Sequence, residues 1–300
     1  MKWEKSNFNY NIDVEGYNGA ATPFAFPIEG SKYRIYYTSR NEENQSNIFY
    51  LEMDVETEEI LYIEKEPILR PGELGSFDDS GVMMSWIGMV DNKYYLYYIG
   101  WNLGVTVPFR NSIGLAISDD GIHFEKMYDG PVCDRTKEEP HFCASQWIIR
   151  ENDLWRMWYL SCVGWKKIGD EVRHWYHIKY AESQDGVNWI RNGKVCIDFK
   201  NDKEYAISRP CVQKSNGIYK MWYSYRGESY RIGYAESQDG VNWIRKDEEA
   251  GIDVSADGFD SKMVCYPCVF SCNDKWYMLF NGNGYGKTGF GIARLTEGEI

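Results

Sequence analysis

The chain alternates short apolar runs, rich in aromatic residues, with polar turns, and the runs recur in a fixed order. One type reads "YRIYYTS", "YYLYYIG", "WRMWYLS", "YKMWYSY" and "KWYMLFNG". Ahead of each lies a second apolar run: "PFAFPIEG", "GVMMSWIGMV", "FCASQWII", "ISRPCVQKS" and "MVCYPCVFS". Beyond a loop follows a third, of the kind "SIGLAIS", "HIKYAES", "RIGYAES" or "GFGIARL". Runs of this length and composition, bounded by Asn, Asp and Gly, predict strands. The first two of each unit are joined by "EGSK", "VDNK", "ENDL", "SNGI" or "CNDK", which carry the residues a tight hairpin demands. Each unit therefore reads strand A, turn, strand B, loop, strand C, turn, strand D.

Five such units fill the 300 residues and leave no space for a second domain. Antiparallel four-stranded units repeating at roughly 40 to 65 residues predict a β-propeller. The expected fold is all-β: one five-bladed β-propeller over residues 1–300. The fifth unit stops after its third strand, at "GFGIARLTEGEI", and the N-terminal "MKWEK" resembles "GVNWIRK", the fourth strand of complete units. Residues 2–5 are expected to pair beside residues 289–295, closing the ring and covering an exposed strand edge.

The string "AESQDGVNWIR" stands at residues 181–191 and again at 235–245, with a looser copy, "SDDGIHF", at 118–124. It falls between strands C and D. Asp-Gly supplies the positive φ of a tight turn, and Ser and Asp bond the turn backbone. One active site needs different residues in different roles, so identical copies read as scaffolding. The turn is similar to the Asp-box of sialidase propellers with one residue fewer, a resemblance that implies a structural role away from the active face.

Composition sharpens the picture. Aromatics make up 16% of the chain, with 24 Tyr and 12 Trp, in keeping with strands. A net charge of −12 argues against a nucleic-acid partner. No run approaches the roughly 18 apolar residues of a membrane span, and "MKWEKSNFNYNID" lacks the apolar core of a signal peptide. Most of the eight Cys lie inside apolar strands, as buried thiols of a reducing, cytoplasmic setting. Cys265, Cys268 and Cys272 have a spacing that superficially suits a metal. Strand alternation sends the first two to opposite faces, and no His or Cys cluster accompanies them, so no metal or cofactor is expected.

Chemistry is then expected on the face opposite the Asp-Gly turns. The loops leading into strand A read "SFDDSGV", "KEEPHFC", "DKEYAIS" and "GFDSKMV". They aim Asp78, Asp79, Glu138, Glu139, Glu204 and Asp260 at one central mouth. The B–C loops are long and uneven, among them "GWNLGVTVPFRN" and "SCVGWKKIGDEVRHWYH". Cations gather on the same side: Arg209, just before Pro210 in an inner strand, with His141, Lys262, Arg40 and Arg226. Trp101 and Trp165 suit stacking on a sugar ring. Each has a plainer alternative: turn caps and solvated side chains for the acids, a structural pair with Glu204 for Arg209, loop packing for the two Trp.

The "MWYS" strands, the "IGYAES-DG-NW" pattern and the late "FNGNG…TGFGIA" resemble the glycosidase-type five-bladed propellers of glycoside hydrolase families 32, 43 and 130, and uncharacterised glycosidase-like relatives encoded with bacterial surface-polysaccharide genes. For families 32 and 43 the resemblance implies three carboxylates: one in blade one, an Asp in blade three and an acid Glu in blade four. By position Glu204 matches the acid, and Glu139, or else Glu138, stands at the blade-three position. Blade one departs from the pattern, with Asn18 and Thr22 in "YNGAATPFAFP" where the Asp belongs and Asp13 further back. Asp79 or Asp260 is the substitute expected from a neighbouring blade. The resemblance implies an enzyme acting on a glycosidic or anomeric bond, with a sugar or sugar-phosphate ligand. Two alternatives stay open: a phosphorylase or nucleotide-sugar-processing enzyme holding phosphate with Arg209, His141, Lys262 or Arg226, and a non-catalytic sugar-binding protein that has lost its base.

Overall fold

The structure, a computed structural model, describes all 300 residues. β1 (Lys2–Tyr10) opens the chain. Unit one is β2 (Tyr17–Glu29), β3 (Lys32–Asn41), β4 (Ser46–Asp54) and β5 (Glu59–Ile63); unit two is β6 (Gly81–Val90), β7 (Lys93–Leu103), β8 (Phe109–Ser118) and β9 (Glu125–Lys126). Unit three is β10 (Cys143–Glu151), β11 (Leu154–Ile168), β12 (Glu171–Ser183) and β13 (Val195–Ile197); unit four is β14 (Ala206–Ser215), β15 (Ile218–Arg226), β16 (Tyr230–Ser237) and β17 (Ile244–Arg245). Unit five is β18 (Cys265–Cys272), β19 (Lys275–Asn281) and β20 (Phe290–Glu297), with β1 as its outer strand. Strands within a unit pair antiparallel in chain order, and β1 lies antiparallel to β20, Lys2 opposite Glu297 and Lys5 opposite Ala293.

Three sheets result, because one parallel bridge, Ser46 to Gly81, joins units one and two, and another, Tyr176 to Ala206, joins units three and four. The first strands pack cyclically: β2 on β6, β6 on β10, β10 on β14, β14 on β18, and β18 back on β2. The second strands carry the longest apolar runs because both of their faces are covered. In β11, Met157, Trp158 and Tyr159 are fully buried in succession, which leaves no polar side to alternate. The outer strands β5, β9 and β17 are short and largely exposed.

The hairpin signals act as the sequence predicts. Asp91–Asn92, Asn152–Asp153, Asn216–Gly217 and Asn273–Asp274 all have positive φ at both positions. The three Asp-Gly turns are built alike. In each, the Asp side chain (Asp120, Asp185, Asp239) accepts two backbone N–H bonds, at 2.7–2.9 Å, and a Ser hydroxyl two residues back completes the loop. The Gly carbonyl then takes a bond from strand B of the preceding unit: Tyr36 to Gly121, Tyr97 to Gly186 and Trp158 to Gly240, at 2.6–2.7 Å. The turns are therefore latches between units. In unit five the chain ends stand in place of this turn. There the matching donor, Trp222 Nε1, has no partner, and its ring packs edge-on against Trp3.

Candidate functional site

Every first strand carries one extra residue at the same level, a β-bulge that locally re-aims a side chain. In four of the five strands a bulge residue adopts a left-handed backbone: Thr22 (φ 55°), Ser145 (48°), Arg209 (53°) and Tyr266 (56°). Non-glycine residues reach this region only at a cost of about 1–3 kcal/mol, a cost typically met at sites of function. Thr22, Arg209 and Tyr266 surround the axis between the first strands, and Ser145 lines the space above it.

Above them opens a mouth of two adjoining lobes, about 370 and 530 Å³, which share Arg40, Asn44, Met83, Phe109, His174, Tyr176 and Tyr266. Arg209, Trp101, Ser145 and Ser208 complete one lobe; Arg226, Tyr230, Tyr285 and Lys287 help to complete the other. The mouth lies away from the Asp-Gly latches. Along β3, Arg34 bonds the carbonyls of Asp120 and Gly121, whereas Arg40 lines the mouth, six residues or about 20 Å further on.

No carboxylate lines either lobe. The three arginines meet carbonyls and aromatic faces instead. Arg209 donates to the Met84 carbonyl at 2.6 Å and lies 5.5 Å over Tyr266. Arg40 lies 5.1 Å over Trp101 and bonds the Asn44 carbonyl at 2.8 Å. Arg226 lies among Tyr205, Tyr230 and Tyr285, at 5.2–5.7 Å, and its buried Nε has no partner. Burial pushes the Arg209 pKa down to about 10 and lowers that of Arg40, so both remain cations at neutral pH. His174 stacks on Tyr176 at 4.9 Å. Burial, helped by the charges of Arg226 and Arg173, pushes its pKa down to about 4, so it is neutral at pH 7. The Tyr176 and Tyr230 hydroxyls bond each other, and burial raises both phenols, which keeps them protonated donors. Guanidiniums held this way, without counter-charge, suit an anionic ligand bound through several N–H donors.

The acids expected in the mouth do not converge there. Glu204 is 7% exposed and receives two bonds from Arg245, at 2.8 and 3.1 Å. Asp78 is held by Lys126 at 2.6 Å and by Tyr98. Glu139 accepts bonds from Tyr159 and Ser161, with Lys179 and Arg191 at 3.6 and 3.7 Å. Asp260 meets Lys5 at 2.5 Å. In each case an acid leading into a unit is tied to a cation on or beside the outermost strand of that unit. A single device occurs four times. Asp79 bonds the Gly75 N–H and the Ser80 hydroxyl within its own loop, and Glu138 faces Lys137 at the surface. The supposed partnership of Arg209 with Glu204 is replaced by Arg245.

Of the remaining expected residues, Arg209, Arg226, Arg40 and Trp101 do line the mouth, whereas Lys262 is exposed outside it. His141 and Trp165 line a separate groove beside it. Sequence reasoning missed His174, Tyr176, Tyr230, Tyr266 and Tyr285. A signal was present for His174 and Tyr176, since "EVRHWYH" belongs to the longest B–C hairpin, where Trp165 pairs with His174. The ion pairs also left a trace: "HFEK", "NWIR", "NWIR" and "KWEK" end in Lys126, Arg191, Arg245 and Lys5, the cations that hold the acids.

No family model matches the chain. Uncharacterized protein MT1551 of Mycobacterium tuberculosis (strain CDC 1551 / Oshkosh) is 44% identical over 279 residues, 93% of each chain. The 1,2-beta-oligomannan phosphorylase of Thermoanaerobacter sp. (strain X514) is 23% identical over 184 residues, 60% of this chain and 57% of that enzyme. Among solved structures, a glycoside hydrolase superposes with a TM-score of 0.74 at 18% identity, over 98% of this chain and 93% of that one. A thermostable family-43 glycoside hydrolase gives 0.71 at 18% identity, over 97% and 94%. A structure from the GH130 family of mannoside phosphorylases gives 0.68 at 16%, over 98% and 93%. The all-β fold is that of the glycosidase-type propellers.

Proposed function

This chain belongs to the family of the mycobacterial protein MT1551, and from that premise we propose that it is a carbohydrate-active enzyme whose mouth holds phosphate, or the phosphate of a sugar conjugate, against a glycosidic or anomeric bond. The observation that carries this reading is a mouth with Arg40, Arg209 and Arg226 in its wall and no carboxylate. Hydrolysis of a glycosidic bond ordinarily takes an acid and a second carboxylate, as base or nucleophile. Phosphorolysis needs less from the protein, because phosphate is the nucleophile. One phosphate oxygen attacks the anomeric carbon, the bond to the leaving oxygen breaks, and that oxygen takes a proton. The proton that phosphate brings meets the balance, relayed through the paired hydroxyls of Tyr176 and Tyr230. The arginines hold the phosphate charge in place, and the similarity to the oligomannan phosphorylase supports the same reading.

We read the five units as blades of one propeller domain with β1 as the closing strand; the cyclic packing of the first strands and the β1–β20 pairing support this. Eight free thiols, all buried, support a reducing, cytoplasmic setting.

The test is phosphate dependence. Mannosides and other glycosides, incubated with the protein and inorganic phosphate, should release a sugar 1-phosphate, and release should stop in phosphate-free buffer. Turnover that proceeds equally well with water alone would overturn the reading. A second reading, a sugar-anion-binding protein on this scaffold, is favoured by the same lack of a carboxylate. It takes the lead if sugar phosphates bind and no acceptor supports turnover.

A further inference from the structure

Beside the mouth runs a groove of about 320 Å³, with Arg110, Arg135, His141, Phe142 and Trp165 in its wall. Phe142 also lines the mouth, so the two spaces are separated by one layer of rings. That layer is continuous: the Trp165 ring lies 5.4 Å from Phe109, 5.6 Å from Phe142 and 5.2 Å from His174. The loop between β7 and β8 and the first residue of β8 serve both spaces, with Pro108 and Phe109 toward the mouth and Val107 toward the groove.

No carboxylate lines the groove either. Arg135 is the only one of its cations near an acid, 3.6 Å from Asp134, and that carboxylate is already engaged by the Ser112 hydroxyl at 2.9 Å. The Arg110 and His141 side chains have no protein partner. The groove thus sets guanidiniums beside aromatic faces, further out than the mouth: Arg110 with no counter-charge, and Arg135 beside a carboxylate that the Ser112 hydroxyl already engages.

We propose that the groove is a second anionic subsite, and that the substrate is a sugar chain or conjugate with a carboxylate or phosphate on more than one unit. This rests on the reading of the mouth as a sugar-anion site. One charged unit sits in the mouth, while the next lays its ring against Trp165 and directs its acid group to Arg110 and Arg135. Aromatic platforms with a few convergent polar groups are the usual make-up of sugar pockets, and paired N–H donors favour guanidinium for carboxylate and phosphate.

Calorimetry with inorganic phosphate and with galacturonate oligomers of one, two and three units tests this. Wild type should bind the dimer or trimer about tenfold more tightly than the monomer, as one added charge-assisted contact permits. The double variant Arg110→Ala/Arg135→Ala, changed at exposed side chains, should lose that gain and keep its affinity for inorganic phosphate. A charge-matched control, Lys65→Ala/Arg70→Ala, should behave as wild type. No gain with length in wild type, a gain that survives in the double variant, or an equal loss in the control overturns the subsite. Arg209→Met tests the mouth separately: unchanged phosphate affinity there sinks the underlying reading and leaves the outcome for Arg110 and Arg135 to stand or fall by itself.

Discussion

In the mouth, Arg40, Arg209 and Arg226 face aromatic rings and carbonyls with no acid beside them. In the loops leading into the units, Asp78, Glu139, Glu204 and Asp260 each lie against a cation from the outer strand or its end. Both regions bury charge, and they differ in whether the charge is satisfied. A buried carboxylate with a guanidinium or ammonium at hydrogen-bond distance is complete, as for Asp78, Glu204 and Asp260. In the third unit Glu139 takes its hydrogen bonds from Tyr159 and Ser161, with its cations just beyond. In all four units the lead-in loop is tied to the strand that finishes its sheet. A guanidinium buried or half-buried over an aromatic ring is incomplete, because a ring face offsets only part of what the charge loses on leaving water. The protein holds its unsatisfied charge in the mouth and its satisfied charge at the outer edges of the units. That contrast, more than the count of acids, is what the proposed ligand site rests on.

The largest expected effect comes from breaking a satisfied pair. Glu204→Gln strands Arg245, and loss of one partner of a buried pair destabilises by about 3–5 kcal/mol. Asp247, which also bonds Arg245 at 2.7 Å, keeps the loss near the lower end. Urea unfolding should show it, while phosphate affinity of the folded fraction stays as in wild type. An undiminished stability with abolished turnover would place Glu204 in the chemistry and break the comparison.

The opposite signs are expected at Arg209. Arg209→Met removes a buried charge that has no counter-ion, so ligand-free stability should hold or rise, whereas phosphate affinity should drop roughly 10- to 100-fold, the range for a charge-assisted hydrogen bond. Calorimetry and unfolding on one preparation decide it. A fall in stability with affinity intact would make Arg209 a structural strut.

The effect that is smallest at neutral pH concerns His174, whose pKa is pushed down to about 4 by burial. The unfolded chain takes up this proton near pH 6.5, and the folded chain only near 4. Between those values the unfolded state binds more protons, so stability falls as pH drops from about 6.5 to about 4 and gains nothing above that window. His174→Asn should flatten this part of the melting-temperature profile. An identical slope in the variant would show that other groups carry it.

Strands, hairpins and the Asp-Gly turns were legible because each depends on residues close in sequence. Asn152–Asp153 carries its turn preference in its own two residues, both with positive φ, and "SQDGVNW" closes its own hydrogen bonds. The partners of the acids were not legible because they are remote: Glu204 and Arg245 are 41 residues apart, and Lys5 and Asp260 are 255 apart. "Acid before strand A" looked like convergence on an axis until the cations of strand D were seen to reach them. The repeated Lys or Arg in "HFEK", "NWIR" and "KWEK" was the clue.

By itself, then, the sequence determined the local geometry: which runs are strands, where they turn, and that four-stranded units recur with a spare strand at the N-terminus. These follow from backbone conformation and short-range hydrogen bonding, which neighbouring residues control. Only the tertiary structure decided which charges are neutralised and which are left facing open space. Arg40, Arg209 and Arg226 come from units one and four, and their shared mouth forms only when the first strands pack around one axis. Electrostatic satisfaction is a property of distance in space, and for residues this far apart along the chain only packing sets that distance.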